Sequence, residues 1–560
     1  MQRRILSRQI RLLPSLESKN QAPTRLLKRD TQLASQGRPQ LPFLSTPLAR
    51  NHQFRYLTTK RKRWLVYEVY LGLKYTAYIW AIAGCSLIVY CTIQQEWLER
   101  NYPTPHEWGI ITRLRFRMAK WGPDRTDWPE TDWVVIGEYA KNVIERLEDR
   151  DIEGTGLEDL TEGGVWIDGV GKSGYDITAK SEAWRRGYYE ALMLGAKAAE
   201  ELDDQVLDKT RNLVFPANNV IGPSNPNPKP IRFGVQKAPL EKDCERAYEE
   251  PGTFYVRILT TRGFSTRQKL DAALAYASWL DFKGIPEAAL RMHDWALSLA
   301  SESLPLTELP YDLKSYILRA EARPPSTNIL DALTALAAHK ARNDEVAGAL
   351  PILLSILRAR RSLPDSRSKN GTTSSHETDA PSDNPWAIGN IFETLKRLAA
   401  PPAYPPPPPD GESPPVRDAK ERCEEAALNL YIGEIIYASK GREDGLAWTR
   451  EAVDLAEEQL HKLSKTEPEA KKTCKECLST GLENWAKMVS RLAREEKEKE
   501  EANPAGSRSA WFGLWGDSRQ ETPGRWAAEE NVVKERTRRA QEILDELDAP
   551  SSTFASMFSA

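Results

Sequence analysis

Few stretches of this sequence place reactive residue types at a spacing that performs chemistry. Gly169-Val170-Gly171-Lys172-Ser173 closes as a phosphate-binding loop closes, with a lysine to reach phosphate oxygens and a serine to meet Mg2+. That loop needs a glycine five positions before the Gly of the GKS triplet, where Trp166 stands, and an apolar strand ahead of it, which this sequence lacks. Nucleotide binding is not expected, and the stretch reads as a Gly-rich loop. Cys474-x-x-Cys477 has the spacing of half a thiolate metal site or of a redox dithiol. With no second pair, no nearby histidine and no βαβ context, these read as two helical cysteines in a partly exposed turn. The histidines at 52, 106, 293, 339, 376 and 461 are scattered, and His293 falls in a helical stretch where packing is its expected role. No HExxH, GxSxG or acidic metal cluster appears. The expectation is a non-enzymatic protein with no catalytic, cofactor-binding or metal-ligating residues.

The strongest positional signal is apolar. Val69–Ile93 carries one charge, Lys74, and from Tyr75 to Ile93 there is none. A helix rising ~1.5 Å per residue crosses the ~30 Å hydrocarbon layer in about 20 residues, so this segment spans a bilayer once. Lys74 sits where its ammonium can reach the headgroups, and Tyr67, Tyr70, Tyr90 and Trp97 are placed as interfacial aromatics. Ala77, Ala81 and Cys85 recur every four residues, a stripe on which a second transmembrane helix can pack closely.

The flanks of the span differ. Lys60-Arg61-Lys62-Arg63 precedes it, whereas Glu96, Glu99 and Arg100 follow it, so the N-terminus is expected to stay in the compartment of origin or the matrix, with the long C-terminal part on the other side. Residues 1–58 are rich in Arg and Ser with only Glu17 and Asp30 as acids, and the start MQRRILSRQIRLL has a basic amphipathic pattern. That is the composition of a mitochondrial presequence, with a processing site expected shortly after Arg55. The net charge of −2 gives no argument for nucleic acid as a partner, and six cysteines, two of them (Cys85, Cys91) in the span, make no disulfide framework.

Beyond the span an all-α architecture is expected. A juxtamembrane helical region covers 103–202: one helix over 103–121 capped by Thr104, a second over 133–149, and a third over Ser181–Leu202. The helix over 103–121 has Trp108, Ile111, Leu114 and Met118 as its apolar face and four cations opposite, a pattern suited to headgroups or to packing on the domain behind it. Residues 203–262 read as an irregular connection. Residues 268–500 read as helical repeats interrupted by a Pro-rich insertion at 364–418, which contains one short helix (Trp386–Ala399) and the run Pro405–Pro409. Residues 503–560 read as a loop, a charged helix and a short tail.

The repeats show themselves by small residues. In Gln268–Ala300, Ala277 and Leu280 precede a turn at Lys283-Gly284, then come Ala289 and Ala296. In Asn429–Leu460, Gly433 and Ile436 precede Gly441, then come Gly445 and Ala452. In both, small residues twelve positions apart face each other where two antiparallel helices cross, and an alanine seven further on seats the next unit. Leu330–Leu363 reads as a poorer copy with Ala335 and Ala347 at the crossing and Leu354 in place of the last alanine. This spacing resembles the tetratricopeptide repeat.

A presequence, one span after FRYLTTKRKRW, the stretch QQEWLERNYPTPHEWGIITRLRFRMAKW and then helices of this spacing resemble the fungal mitochondrial inner-membrane adaptor subunit of the i-AAA protease. The resemblance covers the order of elements along most of the chain and carries no catalytic residues. It implies a single-pass inner-membrane protein whose tetratricopeptide-like domain, in the intermembrane space, binds unfolded protein substrates and delivers them to the protease. An outer-membrane import receptor with cytosolic repeats and a respiratory-complex assembly factor are the alternatives.

Overall fold

A computed structural model of the chain describes residues 59–125, 131–159, 166–167, 171–172, 174–231, 237–321, 323–365, 404–439, 441–463, 468–502 and 524–548. Among the described residues the protein is mostly helical, with a few short strands. The presequence of 1–58, the helix at Trp386–Ala399, the loop at 503–523 and the tail 549–560 fall outside the described residues.

The chain divides into two compact units, residues up to Trp97 with Asn218–Lys242, and Leu98–Ala217 with Asp243 onward. In the first, helix α1 (Thr59–Asn101) contributes the apolar segment. Its large side chains point outward, Trp80 at 73% and Leu73 at 67% exposure, as do Ala77, Ala81 and Cys85. The helix is long and apolar enough to cross a membrane. The excursion Asn218–Lys242 is held by its own polar groups: the Glu241 carboxylate accepts the Ser224 N–H, and the Asn225 amide donates to the carbonyls of Asn218 and Val220.

The second unit opens with α2 (Ile110–Trp121), α3 (Trp133–Glu148), α4 (Glu182–Leu202) and α5 (Pro251–Thr260). Asp132 and Ser181 cap α3 and α4 by accepting the N–H of Val135 and Trp184. Thr104 is not a helix cap: α2 begins six residues later, because buried Glu99 claims the Thr104 hydroxyl at 2.9 Å together with Arg113 at 3.0 Å and Arg117 at 2.5 Å. The apolar face of α2 differs accordingly. Phe116 is fully buried against Trp108, while Ile110 and Ile111 are exposed.

Two small pairs lie before α4, β1 (Glu158–Asp159) with β4 (Tyr175–Asp176) and β2 (Trp166–Ile167) with β3 (Gly171–Lys172). Gly171-Lys172, expected in a loop, instead forms a short strand. The expected irregular connection is partly a sheet: β5 (Gln205–Asp208) pairs antiparallel with β6 (Leu213–Pro216) and β7 (Cys244–Arg246). Asp208 closes the β5–β6 turn by accepting from Thr210, and Asn212 takes a left-handed φ of 52° there.

Three helical hairpins follow: α6 (Thr266–Phe282) with α7 (Pro286–Ala300), α8 (Thr327–Arg342) with α9 (Val346–Arg361), and α10 (Ala419–Ser439) with α11 (Arg442–Lys462). A capping box of Ser265 and Gln268 starts α6, and Pro286 occupies the first position of α7. The turns share one bonding pattern. The Ile285 N–H bonds Leu280 O at 3.0 Å, Glu345 bonds Lys340 O at 2.9 Å, and Gly441 bonds Ile436 O at 3.1 Å. The first two are Schellman closures, with Gly284 at φ 73° and Asp344 at φ 63° in the left-handed position. Helices α12 (Pro468–Ala502) and α13 (Arg525–Asp548) continue the packing order.

The insertion does not break this order. Helix α9 packs directly on α10, and the chain leaves and returns at one place, where Arg417 bridges to Asp365 and its N–H bonds Pro364 O.

Candidate functional site: the hairpin array and its cleft

Aligning the three turns fixes which residues meet at each crossing. Ala277 and Ala289 occupy the first, both fully buried, with Leu280 and Ala296 packed beside them. Gly433 and Gly445 occupy the third, with Ala452 buried and Ile436 half-buried. A Cβ on Gly445 would lie 2.5 Å from the Tyr437 nitrogen and 2.6 Å from the Gly433 carbonyl, so here backbone meets backbone. In the middle hairpin Ala335 is half-buried and Ala347 is exposed, and neither is at the crossing. The equivalent residues are Ala337 and Ala349, both fully buried, with Ile356 in place of Leu354. The twelve-residue spacing holds, but two positions further along. Gly284 is a turn residue with open space about it, not a packing residue.

A charge ladder ties the hairpins. Arg267 on α6 reaches Asp331 on α8 at 2.8 Å, and Arg360 on α9 reaches Asp331 at 3.3 Å and Glu421 on α10 at 2.6 Å. Arg360 is 2% exposed, so its charge is stabilised by these carboxylates rather than by water. Burial pushes the Glu421 carboxyl above its usual range against the pull of Arg360.

Beside the first two hairpins lies a cleft of about 890 Å³. Its floor is apolar, from Leu299, Leu304, Leu309 and Ile329, and its rim carries Glu308, Arg319, Glu321, Arg323 and Glu412. An apolar floor with a few charges of both signs suits an extended peptide segment. One wall is fixed by buried Asn328, whose N–H bonds Gly411 O at 3.1 Å and whose amide donates to Asp410 O at 2.9 Å. The Pro-rich segment is thus not a free surface loop where it rejoins the fold. Arg186, itself buried, lies 4.1 Å over the Tyr404 ring and donates to the Tyr404 hydroxyl and the Pro405 carbonyl. Burial pushes the Tyr404 phenol up to about 12.

The cysteines also depart from expectation. Cys474 is fully buried and joined to Cys423 by a disulfide, 51 residues away. Cys477, one turn on, is buried and free, and burial beside Glu424 raises its thiol to about 12, which suppresses the reactive thiolate.

Sequence spacing gives no hint that Asp281, His293 and His339 meet. They come from α6, α7 and α8, with His339 Nδ1 2.7 Å from Asp281 Oδ1 and the two imidazole rings 5.0 Å apart. Burial first, then His339, lowers His293 to about 4, so it is a neutral donor at pH 7. Only the turn-aligned register, which places His293 and His339 on facing turns of neighbouring hairpins, would have revealed them. No known protein family matches this sequence, and comparison with curated proteins finds no significant relative.

Proposed function

We propose that this chain is a membrane-anchored, non-enzymatic adaptor whose helical array binds protein segments next to a bilayer. The observation that supports it most is α1, an outward-facing apolar rod, in the same chain as a folded helical unit with a charged-rim cleft. On this proposal the array is tetratricopeptide-like, lies in the mitochondrial intermembrane space, and presents unfolded clients to the i-AAA protease of the inner membrane. Anchoring confines client and protease to one surface and raises their effective concentration to roughly millimolar without any new contact. The Cys423–Cys474 disulfide suits a compartment where thiols oxidise rather than a reducing one.

Carbonate extraction of mitochondria, followed by protease treatment before and after rupture of the outer membrane, tests the placement. The chain should stay in the membrane pellet, and its C-terminal part should become digestible only after rupture. Release by carbonate, or digestion of intact mitochondria, would reject it. Ala81→Leu should weaken recovery of a membrane partner in detergent pull-downs, and unchanged recovery would remove the Ala77–Ala81–Cys85 stripe from the account.

A further inference from the structure

Asp281, His293 and His339 each offer a ligand atom, and these atoms lie within 4.8 Å of one another. His339 is partnered, by Asp281 and by the Asn343 side chain. His293 is not. It is 3% exposed, and neither of its ring nitrogens makes a hydrogen bond; the facing Asp281 Oδ2 accepts none either. A buried polar group left unsatisfied destabilises the fold, and a leucine would fill this helix position without that penalty. His293 Nε2 lies 3.9 Å from Asp281 Oδ2, too far for a hydrogen bond. Two donors each ~2.0–2.1 Å from a tetrahedral zinc ion sit ~3.3 Å apart, so the His293–Asp281 gap closes with a shift of about 0.6 Å, and side-chain rotation of up to about 1.5 Å brings the whole set to that spacing.

We propose that Asp281, His293 and His339 form a divalent-metal site of the zinc class, linking the first hairpin to the second. Two imidazoles and a carboxylate are a borderline donor set that suits zinc over magnesium or calcium, and the fourth position is left for water. The competing cation is Arg342, whose guanidinium is 3.5 Å from Asp281 Oδ2. Its side chain is 58% exposed, so it can swing into solvent when an ion enters. The site is independent of whether the array serves a protease.

The test uses the full chain in detergent, stripped with a chelator and given zinc chloride, with bound zinc measured after gel filtration and thermal unfolding followed with and without the metal. The wild type should hold about one zinc per chain and unfold at a higher temperature with zinc. His293→Leu should bind at least roughly 100-fold more weakly, show no zinc-induced shift, and unfold no lower than the stripped wild type. Asp281→Asn keeps the side-chain volume, should also lose the zinc-induced shift, and serves if the leucine variant misfolds. Replacing Cys244 and Cys477 with serine should leave zinc binding intact. Absence of zinc from the folded wild type, or equal retention in His293→Leu or Asp281→Asn, overturns the site; His293 is then a packing residue only.

Discussion

Gly445→Ala should destabilise the chain even though helix propensity favours alanine over glycine by up to about 1 kcal/mol. The new methyl would stand 2.5–2.6 Å from the Tyr437 nitrogen, the Tyr437 Cβ and the Gly433 carbonyl. Two of these are backbone atoms of α10 and cannot rotate aside, so α10 and α11 must part by roughly 1 Å. A gap of that size forfeits a quarter to a half of each dispersion contact along the crossing, and overpacking of this kind costs about 1–3 kcal/mol. Net of propensity, a loss of up to roughly 2 kcal/mol remains. Gly348→Ala is the internal control, because its Cβ would meet only Lys340 Cδ at 3.9 Å, and it should stabilise by about 0.5–1 kcal/mol. Thermal unfolding of both variants, followed by circular dichroism on the full chain in detergent, should move the midpoints in opposite directions. If Gly445→Ala unfolds at or above the wild-type temperature, the backbone-to-backbone crossing is wrong.

Three further outcomes follow from buried groups. In the zinc-free chain His293 binds its proton less well folded, at about 4, than unfolded near 6.5, so stability is full above pH 6.5 and falls as pH drops toward 4; the loss is about 3 kcal/mol, and denaturant titrations of chelator-stripped protein across that window should show a slope that His293→Leu reduces. Arg360→Met should cost about 3–5 kcal/mol by leaving the Glu421 carboxylate buried and unpaired, whereas Arg360→Met with Glu421→Leu should recover much of it in chemical denaturation. Reducing the Cys423–Cys474 bond, which closes a 51-residue span, should lower stability by about 4 kcal/mol in denaturant titrations, and Cys423→Ser should lose this sensitivity to reductant.

Much of the helical layout was legible because its punctuation is local. Helix α3 and helix α4 carry periodic apolar faces between recognisable caps, and the glycines of the third hairpin mark its crossing directly. The middle hairpin misleads for two physical reasons. Helix α8 has alanines at 332, 335, 337, 338 and 341, on more than one face, so several registers satisfy the small-residue rule. Its turn also lacks a glycine, since Asp344 takes the left-handed conformation instead. What sequence spacing cannot carry is contact between distant helices. The Cys423–Cys474 pairing, the Arg186–Tyr404 clasp and the meeting of Asp281 with two histidines each depend on how hairpins stack. The short strands β5, β6 and β7 flank a Pro- and Asn-rich stretch whose composition argues for loops, and at three to four residues each they are too brief to show alternation.

The ladder from Arg267 through Asp331 and Arg360 to Glu421 bears on how this array can change. Units that meet only through apolar faces can be added, deleted or exchanged one at a time. Here each hairpin supplies half of an ion pair completed by its neighbour, and excising the third removes Glu421, the carboxylate closest to buried Arg360. Such an array is modular in outline but indivisible in practice, and truncations that end between α7 and α10 should give insoluble fragments.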